Sequence, residues 1–362
     1  MIGQLCALAL AGGFAPSTVN DDQAFFAILA ETKYARMVGM EVPDLGDLPP
    51  GFKLPAEVMQ WIGKPARSLA FRLWSQGIAP DTATAWVAPP AGLKQGERLN
   101  LDLYRPKAAE KIRDFDPDSD PNFTIKYYWG SSETVKEGQP KIVKWSGLSE
   151  DEKEVYRQQA RESQRQGSYY YKPNWTTGHW PTKSQSEAID DSASLVGKYA
   201  LTTNYTGNVE IEAPPNVEFL NAIEMSSPKL DKKLDLKKAI KFEWKSIPNV
   251  LGQNATIFGM EGKSTMILWS SSEVFSGAAF GDTGFMQMAD VRDFVSKTIF
   301  MAPDRTSVAV PAGIFKDADM AMMTMAGYGP GAALDKAQPL PRIQTKTTLQ
   351  LMLGGKKVDF AP

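Results

Sequence analysis

The sequence predicts a mostly β protein, built as two antiparallel β-sandwich-like modules with a few short helices. Two groups of short alternating runs, separated by a polar middle zone, lead to that expectation. Between residues 68 and 145 the runs are SLAFRLWS, TATAWVAP, RLNLDLY, TIKYYW and KIVKW; after residue 201 they are IKFEW, ATIF, STMILW, TSVAV and MAMMTMA. Alternation places apolar side chains on one face of a strand and polar ones on the other. Pro, Gly and Asp lie between the runs, and short strands at such spacing suggest a sandwich.

The elements follow in chain order. Residues 1–20 (MIGQLCALALAGGFAPSTVN) hold an apolar run from Ile2 to Ala11 followed by small residues, the pattern of a secretory signal peptide. The run is too short to span a bilayer. Residues 21–36 (DDQAFFAILAETKYAR) are expected to open a helix capped by Asp21 or Asp22. The Pro/Gly-rich stretch 42–55 then breaks regular structure. A β-rich domain is expected over 21–147, a linker over 148–200 and a second β-rich domain over 201–362. The linker begins with Ser149 and has Glu152 three residues on, a capping box, with Arg157, Arg161 and Arg165 toward the far end of a solvated helix. The aromatic stretch GSYYYKPNWTTGHWP reads as a loop. In the second domain a short helix (MQMADVRDFVSK) interrupts the strands, and residues 344–353 supply the last strand.

A short internal echo points to related modules. Leu73-Trp74-Ser75 recurs as Leu268-Trp269-Ser270, and the block from Val87 to Leu93 recurs from Val308 to Ile314.

Composition narrows the function classes. The 40 basic and 42 acidic residues leave a formal charge of −2 with no basic patch, which excludes a nucleic-acid partner. The only cysteine, Cys6, lies within the signal-like run, so the cleaved chain has no disulfide and no thiolate site. With His179 the only histidine, a two-histidine metal site is excluded and any Ser-His-Asp triad must use it.

Ile240-Lys-Phe-Glu-Trp244, Ile247-Pro248-Asn249 with Gly252, Thr306 to Pro311, and Ala326-Gly-Tyr-Gly329 resemble a fibronectin type III or immunoglobulin-like sandwich. That resemblance implies a Trp of an early strand packed between two sheets. Gln253 departs from the pattern, since an aromatic often follows the glycine there. Through YYWGSSETVKEGQPKIV, SLVGKYALTTNYTG and MILWSSSE the chain also resembles a group of uncharacterised exported bacterial proteins. This implies export and a bacterial source, and no particular activity.

Site candidates are few. Tyr169, Tyr170, Tyr171, Trp175 and Trp180 cluster in a polar stretch, the kind of aromatic platform that stacks on sugars or anchors a partner; since large aromatics are mostly buried, rings folded back over a sheet face or the seam between modules are the favoured reading. Asp116, Asp118 and Asp120 alternate in DFDPDSD and offer hard oxygens to Ca²⁺. Pro121 and Tyr127 stand where an EF-hand needs Gly and Glu, so an acidic turn is the favoured reading. GMEGKST at 259–265 has two residues between its glycines where a phosphate loop needs four, and reads as a hairpin turn. The function expected is an exported, non-catalytic binding or structural module whose partner is a polysaccharide or an envelope protein. The alternatives are a carbohydrate-binding protein using the aromatic loop and a carboxylate-dependent hydrolase. No cofactor is expected beyond the weak Ca²⁺ reading.

Overall fold

The computed structural model describes residues 25–39, 63–105, 123–157, 175–182, 184–185, 188–280, 286–333 and 342–356. The signal-like segment 1–20 and the stretch 42–55 lie outside them. The chain is mostly β, as expected. In order, the strands are β1 (Phe25–Met37), β2 (Ala66–Gln76), β3 (Ala85–Ala88), β4 (Leu99–Asn100), β5 (Asp102–Tyr104), β6 (Thr124–Trp129), β7 (Lys141–Lys144), β8 (Trp175–Trp180) and β9 (Gly197–Thr203). They continue with β10 (Val209–Ala213), β11 (Met225–Ser227), β12 (Ile240–Trp244), β13 (Gly252–Glu261), β14 (Thr265–Ser270), β15 (Ser307–Val310), β16 (Met320–Tyr328), β17 (Ala332–Ala333) and β18 (Arg342–Gly354).

One large sheet organises the fold. Eleven strands run β5-β8-β2-β1-β18-β16-β13-β14-β6-β7, with β17 added beside β18. Two small sheets, β10-β9-β3-β4 and β11-β12-β15, cover different parts of the same face, here the front face. Under the first lie Phe26, Ile28, Phe71, Leu73, Trp180 and Tyr199. Under the second lie Phe242, Trp244, Trp269, Met323, Met325 and Leu351. The two sandwich cores are thus neighbours on one sheet, and the front face of β1 and β18 turns to threonine between them. Thr32 donates its hydroxyl to Leu220 O at 2.7 Å and Thr345 donates to Pro330 O at 2.7 Å.

The sheet crosses the domain boundaries expected from sequence. β6 and β7, inside residues 21–147, join β14 of the C-terminal half, and β1 lies against β18 at the other end of the chain. Both β1–β18 and β6–β14 are parallel, where antiparallel pairing was expected. Neither pair is consecutive in sequence, so no hairpin dictates direction. The expected helix over 21–36 is also corrected, because residues 25–37 form β1. Phe26 to Ala30 are all at most 5% exposed, as in a central strand covered on both faces. Pairing on both edges overrides the helix-forming Ala, Leu, Glu and Lys.

Two smaller corrections concern the middle of the chain. RLNLDLY divides at Leu101, giving β4 to a small sheet and β5 to the large one. Part of the expected aromatic loop is strand β8, and β9 straddles the end of the expected linker. The capping box is present: Ser149 N–H and Oγ both donate to Glu152 Oε2, at 2.8 and 3.0 Å, and helix follows over 150–157. GMEGKST is the β13–β14 hairpin, with Gly262 at φ +65°. The inserted helix spans Met288–Ser296.

The echo is half structural. Val87 and Leu93 enter one front core as Val308 and Ile314 enter the other. In the first Leu-Trp-Ser copy, however, Leu73 faces the front core, while in the second Trp269 does and Leu268 faces the back. A one-residue register difference exchanges the faces, so these two tripeptides are not equivalent.

Candidate functional site

The back face of the large sheet differs along its width. Toward β13, β14 and β6 it is apolar and covered. Phe258, Met260, Leu268 and Ile125 pack with Val291 and Phe294 of the Met288–Ser296 helix and with Phe300, which stacks on Tyr328. The helix sits directly on Gly252, where a Cβ would stand 2.7 Å from Val295 and 2.9 Å from Val291.

Toward β18, β1, β2, β8 and β5 the same face is polar. Pairing aligns Asp102, His179, Arg72, Ala27 and Arg342 in one row across five strands. The next row along places Ala70 beside Leu29 and Gln344; the one after, Ser68 beside Glu31, Lys346 and Tyr328. Glu31 is 8% exposed and Lys346 9%. Thr348 Oγ1 donates to Glu31 Oε1 at 2.6 Å, Lys33 Nζ stands 3.3 Å from Oε2, and Lys346 Nζ is 4.0 Å from Oε1. Lys346 Nζ also lies 5.7 Å from the centre of the Tyr328 ring.

Burial pulls the Arg342 guanidinium below its ordinary value, and Asp290 opposes that shift. Burial and the neighbouring Asp293 push the Asp290 carboxyl up, with Arg342 opposing. Burial lowers His179, Arg72 adds to the effect, and Asp102 acts against it. Among the described residues no group of three His, Cys, Asp or Glu is placed to hold a metal ion.

The tryptophans of the candidate aromatic platform are folded into the structure, as the favoured reading had it. Trp175 is 8% exposed and Trp180 2%, the latter packed 5.5 Å from Phe71 in the front core. Both belong to β8, an interior strand, and an interior strand has its rings claimed by the layers around it. Tyr169, Tyr170 and Tyr171 lie outside the described residues, as do Asp116, Asp118 and Asp120.

A different aromatic surface is open to solvent. Among the described residues β7 is the last strand of the large sheet and pairs with β6 alone. Ile142 of β7, paired with Lys126 on the front face, is 50% exposed; Val274 is 41% exposed and Phe275, on the back face, 39%. Phe275 meets Trp129 edge-on at 5.0 Å and Tyr127 at 5.8 Å, and Lys141 Nζ stands 4.3 Å over its ring. Gln139 fixes the end of β6, accepting from Trp129 N–H at 3.1 Å and donating to Trp129 O at 2.8 Å. Glu273 ties the Phe275 segment to Lys136 at 2.8 Å.

Sequence reasoning missed Phe275, Gln344 and the Glu31 node, and marked Gln253 only as a departure from a pattern. The alternation Arg342, Gln344, Lys346 at the start of the final strand was the available signal for the polar face. Nothing local marked Phe275, since its role depends on strands more than a hundred residues away. No protein-family model matches the chain, and no curated protein is significantly similar to it.

Proposed function

We propose that the chain is an exported, non-catalytic binding module of the bacterial envelope or extracellular space. Its docking surface is the β7 edge of the large sheet, and its partner is an acidic, extended segment of an envelope protein that adds as a further strand. The observation that supports this reading is a strand that pairs, among the described residues, on one side only, with exposed apolar Ile142 on its front face and Phe275 on its back. Main-chain hydrogen bonds supply affinity in strand addition, and alternate side chains supply specificity. Lys141 and Lys144, both exposed on β7, favour acidic residues on the incoming segment. The export part of the reading is supported by the run from Ile2 to Ala11 and by the resemblance to exported proteins.

The test uses two fluorescent peptides, one alternating Val with Asp or Glu and one alternating Val with Lys. The acidic peptide binds, weakens as salt rises, and loses at least about tenfold in affinity to Ile142→Lys/Phe275→Ser. Equal binding of both peptides, or binding of neither, overturns the edge reading. Co-sedimentation of the wild type with insoluble envelope polysaccharide, abolished by Phe275→Ser alone, would assign the surface to sugar instead.

A further inference from the structure

We infer that the segment taken up by the β7 edge carries two acidic residues three positions apart with two apolar residues between them, rather than acidic and apolar residues in alternation. This rests on the edge reading of the proposed function and sharpens which sequence that edge selects. β7 is four residues long, Lys141-Ile142-Val143-Lys144. Pro140, which has no N–H to offer a ladder, precedes it, and the 3₁₀ turn Trp145–Gly147 follows, so the template is no longer than that.

The register on β6 fixes where each group points. Ile142 lies opposite Lys126 and Lys144 opposite Thr124, on the front face; Lys141 lies opposite Tyr127 and Val143 opposite Ile125, on the back face. Directly opposed residues of an antiparallel pair alternate between those that exchange main-chain hydrogen bonds and those that do not. Trp145 N–H donates to Phe123 O at 3.0 Å, which puts Val143 and Lys141 at bonded positions. The Gln139 side chain keeps the same alternation at the other end, meeting the N–H and C=O that Trp129 turns to that side. The N–H and C=O of Ile142 and Lys144 therefore point away from β6, with no other strand to receive them among the described residues.

The side chains set the sequence. Nearby, Lys126 is tied to Glu261 at 2.7 Å and Lys136 to Glu273 at 2.8 Å. Lys141 and Lys144 are exposed, and neither forms an ion pair among the described residues; Lys141 Nζ rests over the Phe275 ring instead. These two ammonium groups lie on opposite faces of the sheet. Side chains of an added strand alternate between the same two faces, so acids separated by one residue reach one lysine and never both. Acids three apart reach both, one on each face. The two residues between them then meet Ile142 and Val143, which favour apolar neighbours.

Fluorescence anisotropy of the full chain with three labelled peptides tests this. Composition and flanks are the same, and the cores are Asp-Val-Val-Asp, Val-Asp-Val-Asp and Val-Asp-Asp-Val. The first is expected to bind at least about threefold more tightly than the other two, since it alone gains the second cross-strand ion pair without setting an acid against Ile142 or Val143. Lys141→Gln/Lys144→Gln, at two exposed positions, erases that preference. N-methylation of the second valine of Asp-Val-Val-Asp, whose N–H faces the Ile142 carbonyl in either strand direction, abolishes binding, and N-methylation of the first is tolerated. Equal binding of the three peptides, tightest binding by either of the other two, or a preference that survives the lysine substitutions overturns the inference; where the methyl on the second valine still abolishes binding, the edge reading stands without it. Binding of none of the peptides, or binding indifferent to both methyl groups, overturns the edge reading itself and the inference with it.

Discussion

Two buried glutamines on the large sheet stand in opposite states. Gln253 of β13 is 0% exposed. Its Oε1 accepts from Trp244 Nε1 at 2.9 Å, and its Nε2 is shared among Ala302 O, Pro303 O and Arg305 O at 3.2, 3.1 and 2.9 Å. Its backbone exchanges two further hydrogen bonds with Met301. Gln344 of β18 is nearly as buried and makes no side-chain hydrogen bond. The first amide fastens a covering sheet, the large sheet and the 301–305 segment to one another. The second fastens nothing, on a face that is otherwise dense in charge. The same residue type thus closes the fold at one place and stays unpaired among the described residues at another.

Breaking the closed node has the largest expected effect. Gln253→Leu leaves the Trp244 indole N–H and three carbonyls without their partner in a dry interior. We expect a loss of about 3–5 kcal/mol, read as a lower denaturant midpoint at unchanged slope. A loss below about 1 kcal/mol would mean that Trp244 and the 301–305 segment find other partners, and the contrast with Gln344 would dissolve.

Next in size is the Glu31 node, which lies between the two extremes because its charges are buried and paired. Glu31→Gln removes the carboxylate that faces Lys33, Lys346 and Thr348. A destabilisation of about 2–3 kcal/mol in urea melts is expected, since Lys346 and Lys33 lose a buried negative charge facing them. The double variant Glu31→Leu/Lys346→Met should recover most of that loss, because two apolar residues carry no desolvation cost there. If the double variant is as unstable as the single one, the pair is fixing strand register rather than merely cancelling charge.

How far the sequence foretells this arrangement depends on the range of the interactions. Local signals read through: the Ser149–Glu152 box, the β13–β14 hairpin and the alternation in Met320–Tyr328, whose Met323 and Met325 fill the front core while Met320 faces the back. Long-range pairing does not. β1 looked helical because nothing in FFAILAETKYARM announces that β18, more than three hundred residues away, will lie parallel beside it. Trp175 and Trp180 were candidates for a platform because a polar, Gly- and Pro-containing stretch resembles a loop until β2 and β5 claim it from either side. Gln253 stood out from the resemblance to a fibronectin-like sandwich as a departure, and its place became intelligible only once the 301–305 carbonyls were seen to meet it.

The smallest expected effect uses His179, which belongs to the same polar face as Gln344. Because burial and Arg72 hold its pKa below the usual 6.5, with Asp102 opposing, the folded chain binds this proton more weakly than the unfolded chain does. Stability is therefore undiminished above pH 6.5 and falls as the pH drops below that value toward the lowered one. His179→Gln removes the titrating group, so the stability of the wild type relative to the variant should be flat above pH 7 and decline as the pH falls below 6.5. His179 is partly exposed, and solvent screening keeps the change to about a few tenths of a kcal/mol. With no second histidine in the chain, carboxylates supply the remaining acid dependence and cancel in the difference between the two proteins. A difference that grows on acidification in the opposite direction would place Asp102, rather than burial and Arg72, in control of the imidazole, and would make that end of the face an ion pair instead of a desolvated, neutral contact.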